Sequence, residues 1–288
     1  MLARVLPKHH AYCRHHLTRR IVPCFFNSTL RPMKTFSPPS GFVLVQLPTG
    51  PAWLRPKSKE PILHLWKKLN PKLPLRIVAS RHPQRRLYPG RAPVTALPCS
   101  GLGEIVVRPC LHGGFWGKLA QDLYCGSHRA RHEIDLAQKL HQEKVPTPYI
   151  LAVCFYPAGP FYRIDVLTSF VPDSRDLASF LSTRPSPLQR RRAFVAVRKL
   201  LHRCAQHGIR HHDLNARNIL ISGLTTSPIS AWLLDVDAIR RESGPSSNVA
   251  TANQNRLLRS LLKRSRLGDL DFSEKEIPKL WREIFPTK

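Results

Sequence analysis

The stretch His211-His212-Asp213-Leu214-Asn215-Ala216-Arg217-Asn218-Ile219-Leu220 decides how this chain is read. Asp213 and Asn218 stand five apart, and Asp235 follows 17 residues after Asn218 within Leu233-Leu234-Asp235-Val236-Asp237. Upstream, residues 187–207 carry Phe194, Val197, Leu200, Leu201 and Cys204 at helical spacing, with Gly208 placed to end the helix. Downstream, 218–221 and 231–236 are short β-rich runs. Asp213 and Asn218 therefore fall on a loop between a helix and a strand, and Asp235 falls at the end of the next strand. Alone, the H-x-D-x-x-x-x-N spacing describes any loop with a helix cap. Combined with these flanks and the second Asp, it fits phosphoryl transfer from ATP. That reaction needs a carboxylate to orient and accept the proton of an attacking hydroxyl, a role that suits Asp213. It also needs hard oxygen ligands for Mg²⁺, a role that suits Asn218 and Asp235.

Working outward, 94–97 and 104–107 read as two strands joined by a turn at Ser100-Gly101-Leu102-Gly103. Residues 128–144 read as a helix with Ile134, Ala137 and Leu140 near one face, stopped by Pro146 and Pro148. Residues 151–156 and 162–170 read as strands. Two helices finish the chain, 253–267 and a segment opened by a Ser273/Glu276 capping box. Between 41 and 80, apolar pieces (42–47, 62–69, 75–79) alternate with prolines, which predicts only brief elements. The expected organisation is a basic, disordered tail over 1–40, a β-rich lobe over 41–171 and a helical lobe over 172–288, with the boundary near Val171-Pro172-Asp173.

These residues resemble the protein-kinase-like superfamily, and most of all its lipopolysaccharide-core branch, the 3-deoxy-D-manno-octulosonic acid (Kdo) kinases. The likeness spans about residues 88–265. It rests on Gly90-Arg91, Arg108 with His112-Gly113-Gly114, Glu133, Phe161-Tyr162-Arg163, Asp165-Val166-Leu167-Thr168, 211–220 and 232–237. The resemblance implies an α+β, bilobal protein-kinase-like fold with a small β-rich N-lobe containing one helix and a mostly helical C-lobe. It implies Asp213 as catalytic base, Asn218 and Asp235 as metal ligands, and Glu133 as the acid that holds a phosphate-binding cation. That cation is Arg108, where most kinases have Lys, with Lys118 a competitor. Gly90 stands where a glycine loop covers the nucleotide, although Gly90-Arg91-Ala92 is a degenerate version of one.

The departures from that pattern narrow the acceptor. Asn215 stands where Ser/Thr kinases have a Lys, and His212 stands where an Arg commonly reads a phosphorylated activation loop. Some fifteen residues separate Asp237 from the next expected helix, with no A-P-E segment to build a peptide platform. A small or glycolipid acceptor is favoured over a protein. The resemblance implies ATP and Mg²⁺ as cofactors and a hydroxyl of Kdo on a lipid A precursor as acceptor. The expected location is the cytoplasmic face of a bacterial inner membrane, in peripheral contact. A heptose kinase of the same core pathway is the nearest rival. A basic nucleic-acid- or membrane-binding pseudokinase is the alternative of another class.

Charge bears on that alternative. The 288 residues hold 46 Lys+Arg against 18 Asp+Glu, a net charge of +28. Residues 1–103 hold 18 of the cations and one acid, Glu60, and 15 of the 27 prolines precede residue 101. So positive a field attracts anions of any kind. No aromatic side chains are interleaved with the cations in a way that suggests base stacking, so nucleic acid is not the expected partner. No run approaches 18 apolar residues, and the most apolar segment, 149–162, is broken by Pro157, Gly159 and Pro160. The first twenty residues lack the apolar core of a secretory signal, and Met33 opens a plausible shorter chain. Seven scattered cysteines without a C-x-x-C pair argue against disulfides and a zinc ribbon and favour a reducing compartment.

Overall fold

A computed structural model describes residues 36–88, 93–111, 122–225, 228–244 and 247–286. Gly90, the segment 112–121 with Lys118, and the tail up to residue 35 lie outside them.

The centre of the first half is a pair of long strands, β6 (Ile150–Ala158) and β7 (Phe161–Ser169), joined at the Pro157–Pro160 turn. Every residue from Ile150 to Tyr156 is buried, so β6 is covered on both faces. Successive side chains point to opposite faces, and the two cores divide them accordingly. Ile150, Val153 and Phe155 join one core while Ala152, Cys154 and Tyr156 join the other.

Around this pair, among the described residues, the sheet has seven strands in the order β1-β2-β6-β7-β5-β4-β3, every neighbour antiparallel. β4 (Val94–Cys99) and β5 (Gly103–Pro109) form the hairpin read from the sequence. β1 (Val43–Leu47), β2 (Gly50–Leu54) and β3 (Arg86–Tyr88) supply both edges.

One face carries helix α3 (His128–Gln142), which places Ala130, Ile134, Ala137 and Leu140 against the sheet. The other face carries α1 (Pro56–Leu69) and α2 (Leu75–Ser80). The expectation of brief elements between 41 and 80 is corrected here, and α3 is joined by two further helices before Val171. α1 runs 14 residues with Pro61 inside it. The ring removes one backbone hydrogen bond, but Ile62, Leu65 and Trp66 are buried on the sheet. Fully burying one such side chain contributes about 1.5–3 kcal/mol, enough to hold the helix despite that loss. α2 is too short to be stable alone, and the sheet caps it. Leu75 N donates to Tyr156 Oη (3.0 Å), and Arg76 N donates to Asp165 Oδ2 (3.1 Å). Phe36, within the stretch read as a tail, is buried. Its carbonyl accepts from Trp53 Nε1 at 2.8 Å, and its ring packs edge-on to Phe155 and Tyr162.

After Val171 the chain is mostly helical, with β8 (Ser174–Asp176), α4 (Leu177–Ser182) and then α5 (Pro187–Gln206), which is opened by a Ser186/Gln189 capping box. β9 (Ile209–His211), β10 (Ile219–Ser222), β11 (Ser230–Leu233) and β12 (Ile239–Arg241) follow. They form two small sheets, β11-β10-β8 and β12-β9. α6 (Ser247–Arg266) and α7 (Glu276–Ile284) complete the fold. α6 starts six residues earlier than expected, and Ser273 and Glu276 exchange the expected capping bonds. Gly208 ends α5 at φ 63°; a Cβ there would lie 2.3 Å from the Glu242 carbonyl oxygen. The Gly208 carbonyl accepts from Glu242 N at 2.9 Å, starting the β9–β12 pairing. The core that backs α3 continues through α5, α6 and α7. No helix among the described residues is long and apolar enough to cross a membrane.

Candidate active site

The loop between β9 and β10 is pinned from behind by two buried polar side chains. Asn253 on α6 donates from Nδ2 to Ile209 O (2.9 Å) and accepts at Oδ1 from His211 N (3.0 Å). The His211 ring accepts at Nδ1 from Asp213 N (3.2 Å), and its Nε2 lies 3.0 Å from Leu234 O. With Nδ1 accepting, Nε2 carries the proton and donates. Burial holds the imidazole below its ordinary pKa, which keeps that neutral tautomer in place. One side chain thus ties the Asp213 backbone to the residue just before Asp235.

Within the loop, Asn215 Nδ2 (3.0 Å) and Asn218 Nδ2 (2.7 Å) both donate to the Asp213 carbonyl oxygen. Committing the Asn218 amide nitrogen leaves its Oδ1 as the atom able to meet a cation. Leu234 N donates to Asn218 O at 2.9 Å, which sets Asn218 beside the start of the Asp235 turn. Asp235 itself adopts a left-handed conformation (φ 56°, ψ 51°) ahead of the 3-10 turn Val236–Ala238. That conformation is unusual for a non-glycine residue. His212 N donates to Ala238 O at 2.9 Å, so the two loops are cross-braced.

The structure also joins Arg108 to Glu133 in an ion pair between β5 and α3, with the Glu133 side chain buried. Burial works against the Arg108 charge. Glu133, followed by Cys110, Asp235 and Asp237, outweighs it and raises the guanidinium above its ordinary range. Arg108 and Glu133 are thereby joined to each other, while Asp213, Asn218 and Asp235 are joined through their two loops.

Sequence reading missed a second ion pair, between Arg129 and Asp237. Arg129 precedes Glu133 by one helical turn, so both face the same way from α3. That spacing, together with the second Asp of the Asp235-Val236-Asp237 run, was the available signal. α3 therefore grips β5 through Glu133 and the Asp235 turn through Arg129. Burial pushes the Asp235 carboxyl up to about 7, helped by its hydrogen bond to Asp237 and by the Asp237 charge. Against burial, the hydrogen bond from Asp235 and then the charges of Arg129 and Arg108 hold Asp237 below the usual carboxylate range. Among the described residues, Asp237 Oδ1 and Glu133 Oε2 are buried without a hydrogen-bond partner. Two adjacent, partly buried carboxylates, one of them with an oxygen left without a hydrogen-bond partner, form a donor set that a hard dication fits.

Among the described residues there is no cluster of three His, Cys, Asp or Glu side chains able to hold a metal. Cys99, Cys110, Cys125, Cys154 and Cys204 are free thiols.

Residues 90–283 match the model of the lipopolysaccharide kinase (Kdo/WaaP) family. The chain belongs to that family. A 3-deoxy-D-manno-octulosonic acid kinase of Haemophilus influenzae (strain PittGG) is 32% identical over 174 residues, covering 58% of this chain and 70% of the relative. A protein of the same name from Actinobacillus succinogenes is 34% identical over 176 residues, with the same coverage. Among solved structures, WaaP in complex with acyl carrier protein aligns over 77% of this chain and 86% of that chain, with a TM-score of 0.44 and 15% identity. The family match begins at Gly90, so β1, β2, β3, α1 and α2 precede it.

Proposed function

We propose that this member of the family transfers the γ-phosphate of ATP to a Kdo hydroxyl on a lipid A precursor. The observation that carries the reading is the bracing of Asp213 and Asn218 on one loop against the Asp235 turn by His211 and Asn253. The Kdo kinases it resembles supply the acceptor. In this reading Asp213 orients the acceptor hydroxyl and takes its proton as the bond to phosphorus forms. Arg108, aligned by Glu133, sets its planar fork against phosphate oxygens. Asn218 Oδ1 and the Asp235 carboxylate would hold Mg²⁺, which would supply positive charge to neutralise the phosphates. Gly90 is assigned to the cover of the nucleotide. The reading places one lobe over residues 41–171 and the other over 172–288, with the nucleotide between them.

The segment after the Asp235 turn supports a non-protein acceptor. β12 ends at Arg241 and α6 starts at Ser247, which leaves five residues where a peptide platform would be built. The reading places the protein at the cytoplasmic face of the inner membrane, held peripherally by the attraction of its +28 charge to anionic lipid. An acceptor screen with labelled ATP tests it. Label on Kdo-lipid A precursor is expected, while label only on heptosylated core, or on neither, overturns the assignment.

A further inference from the structure

The loop between β9 and β10 and helix α6 border an open groove of about 680 Å³, which Asp269 also lines. Its lining includes Asn215 and Arg217 from the loop and Arg256, Arg259, Lys263 and Arg264 from the helix. Arg256, Arg259 and Lys263 recur at three- and four-residue steps and so form one stripe, with Arg264 beside its end. The adjoining face of α6 is turned inward by Val249, Asn253, Leu257 and Leu261. Ala216 N donates to Ser260 Oγ (3.2 Å), which clamps the loop onto the middle of the stripe and sets Arg217 across from it.

Five cations therefore face one cavity. Arg264 pairs with Asp269 at 3.2 Å. Among the described residues, Arg217, Arg256, Arg259 and Lys263 pair with no carboxylate. Like charges one helical turn apart repel and weaken the helix that bears them. An arrangement of this kind is relieved by an anion seated between them. The groove adjoins the proposed site through the loop itself, because Asn215 lines the groove and donates to the Asp213 carbonyl, and Arg217 precedes Asn218.

We infer that this groove binds the phosphate or carboxylate groups of the glycolipid acceptor and so presents its hydroxyl to Asp213. The inference deepens the proposed reaction and rests on it. Guanidinium forks meet both kinds of oxyanion in bidentate fashion. The groove offers no aromatic side chain on which a base would stack, which favours the glycolipid over nucleic acid.

The test compares wild type with Arg259→Glu and Lys263→Glu, singly and together, at two exposed positions. Milder Arg259→Gln and Lys263→Gln variants serve if the reversals disturb folding. Initial rates are measured with Kdo-lipid A precursor in neutral detergent micelles while ATP and acceptor are varied separately. The expected result is an acceptor KM raised at least tenfold in the double reversal, with the KM for ATP within twofold of wild type. An acceptor KM within twofold of wild type overturns the groove and leaves the proposed reaction standing. A second acceptor stripped of its lipid phosphates separates the sources. If phosphates occupy the groove, the stripped acceptor already has a raised KM and the reversals add little. If the sugar carboxylate occupies it, the reversals act equally on both acceptors. Should wild type transfer no phosphate to either, the proposed reaction fails, and the groove is judged by binding alone. Retention on micelles containing the phosphorylated precursor that the reversals abolish supports it. Equal retention on neutral micelles overturns it, as does duplex-DNA binding abolished by the same reversals while glycolipid retention is unchanged.

Discussion

The catalytic loop and the segment that precedes the family match are held in place by opposite means. From Ile209 to Asp237 the chain is positioned by directed hydrogen bonds through two buried polar residues, His211 and Asn253, each touching backbone on either side. From Val43 to Ser80 it is positioned by apolar burial, with Ile62, Leu65, Trp66, Leu75 and Val78 pressed on the far face of the sheet. Hydrogen bonds fix a loop to a few tenths of an ångström, which phosphoryl transfer requires. Apolar contact is non-directional and fixes a layer. Damage to the first region should therefore appear in rate before stability, and damage to the second in stability before rate.

The contrast is tested most severely by Asp213→Ala. Loss of the proposed general base should lower kcat by about 10²–10⁴-fold, and thermal unfolding should move little; full activity in this variant would remove the site. Ile62→Ala is the mirror image. Creating a cavity at a fully buried position costs about 2–5 kcal/mol, read by denaturant unfolding, while kcat per folded molecule stays near wild type. A drop in kcat at full folding would mean that the far face communicates with the loop.

Asp165, at the sheet end of α2, gives a pH-dependent version of the same contrast. Burial raises its pKa to about 6 from 3.8, against the pull of Arg76. Between those values the folded protein holds a proton that the unfolded chain has lost, so stability falls as pH rises through the window. The loss is about 3 kcal/mol, at 1.36 kcal/mol per pH unit, and it is complete above the folded value. Asp165→Asn keeps the acceptor for Arg76 N and should flatten this slope in unfolding curves taken from pH 4 to 7. An unchanged slope would assign the protonation elsewhere. The smallest effect is expected for Arg129→Met. It frees the Asp235 turn from α3 while leaving Arg108 paired with Glu133, and should lower kcat/KM about tenfold, equivalent to ~1.4 kcal/mol. A loss as large as that of Asp213→Ala would place Arg129 on the reacting groups themselves.

The same contrast explains what was legible in the sequence. α3, α5 and β4 to β7 carry clean periodicities, and they lie within a residue or two of where the pattern puts them, Cys99 and Pro109 included. The Asp213, Asn218 and Asp235 spacing is a local property of the chain, so the two loops that carry them could be located directly. α1 is obscured in the sequence by Pro61, although Ile62, Leu65, Trp66 and Leu69 hold the helical spacing, and the burial of Ile62, Leu65 and Trp66 overrides the proline. Arg129 with Asp237, and Arg217 with Lys263, are separated by 108 and 46 residues. Local spacing can mark each of these residues, but it cannot name its partner, because only the fold brings them near one another.

Gly208 has a further consequence. The tight approach of the Glu242 carbonyl makes it a shared abutment, on which the end of α5 and the strand leaving the Asp235 turn both bear. A single methyl group there would act as a wedge. It would prise β12 from β9 and shift Asp237 relative to Asp213, although no reacting group is touched. The alignment of the two carboxylate loops is thus set mechanically by the thickness of one residue at the back of the site.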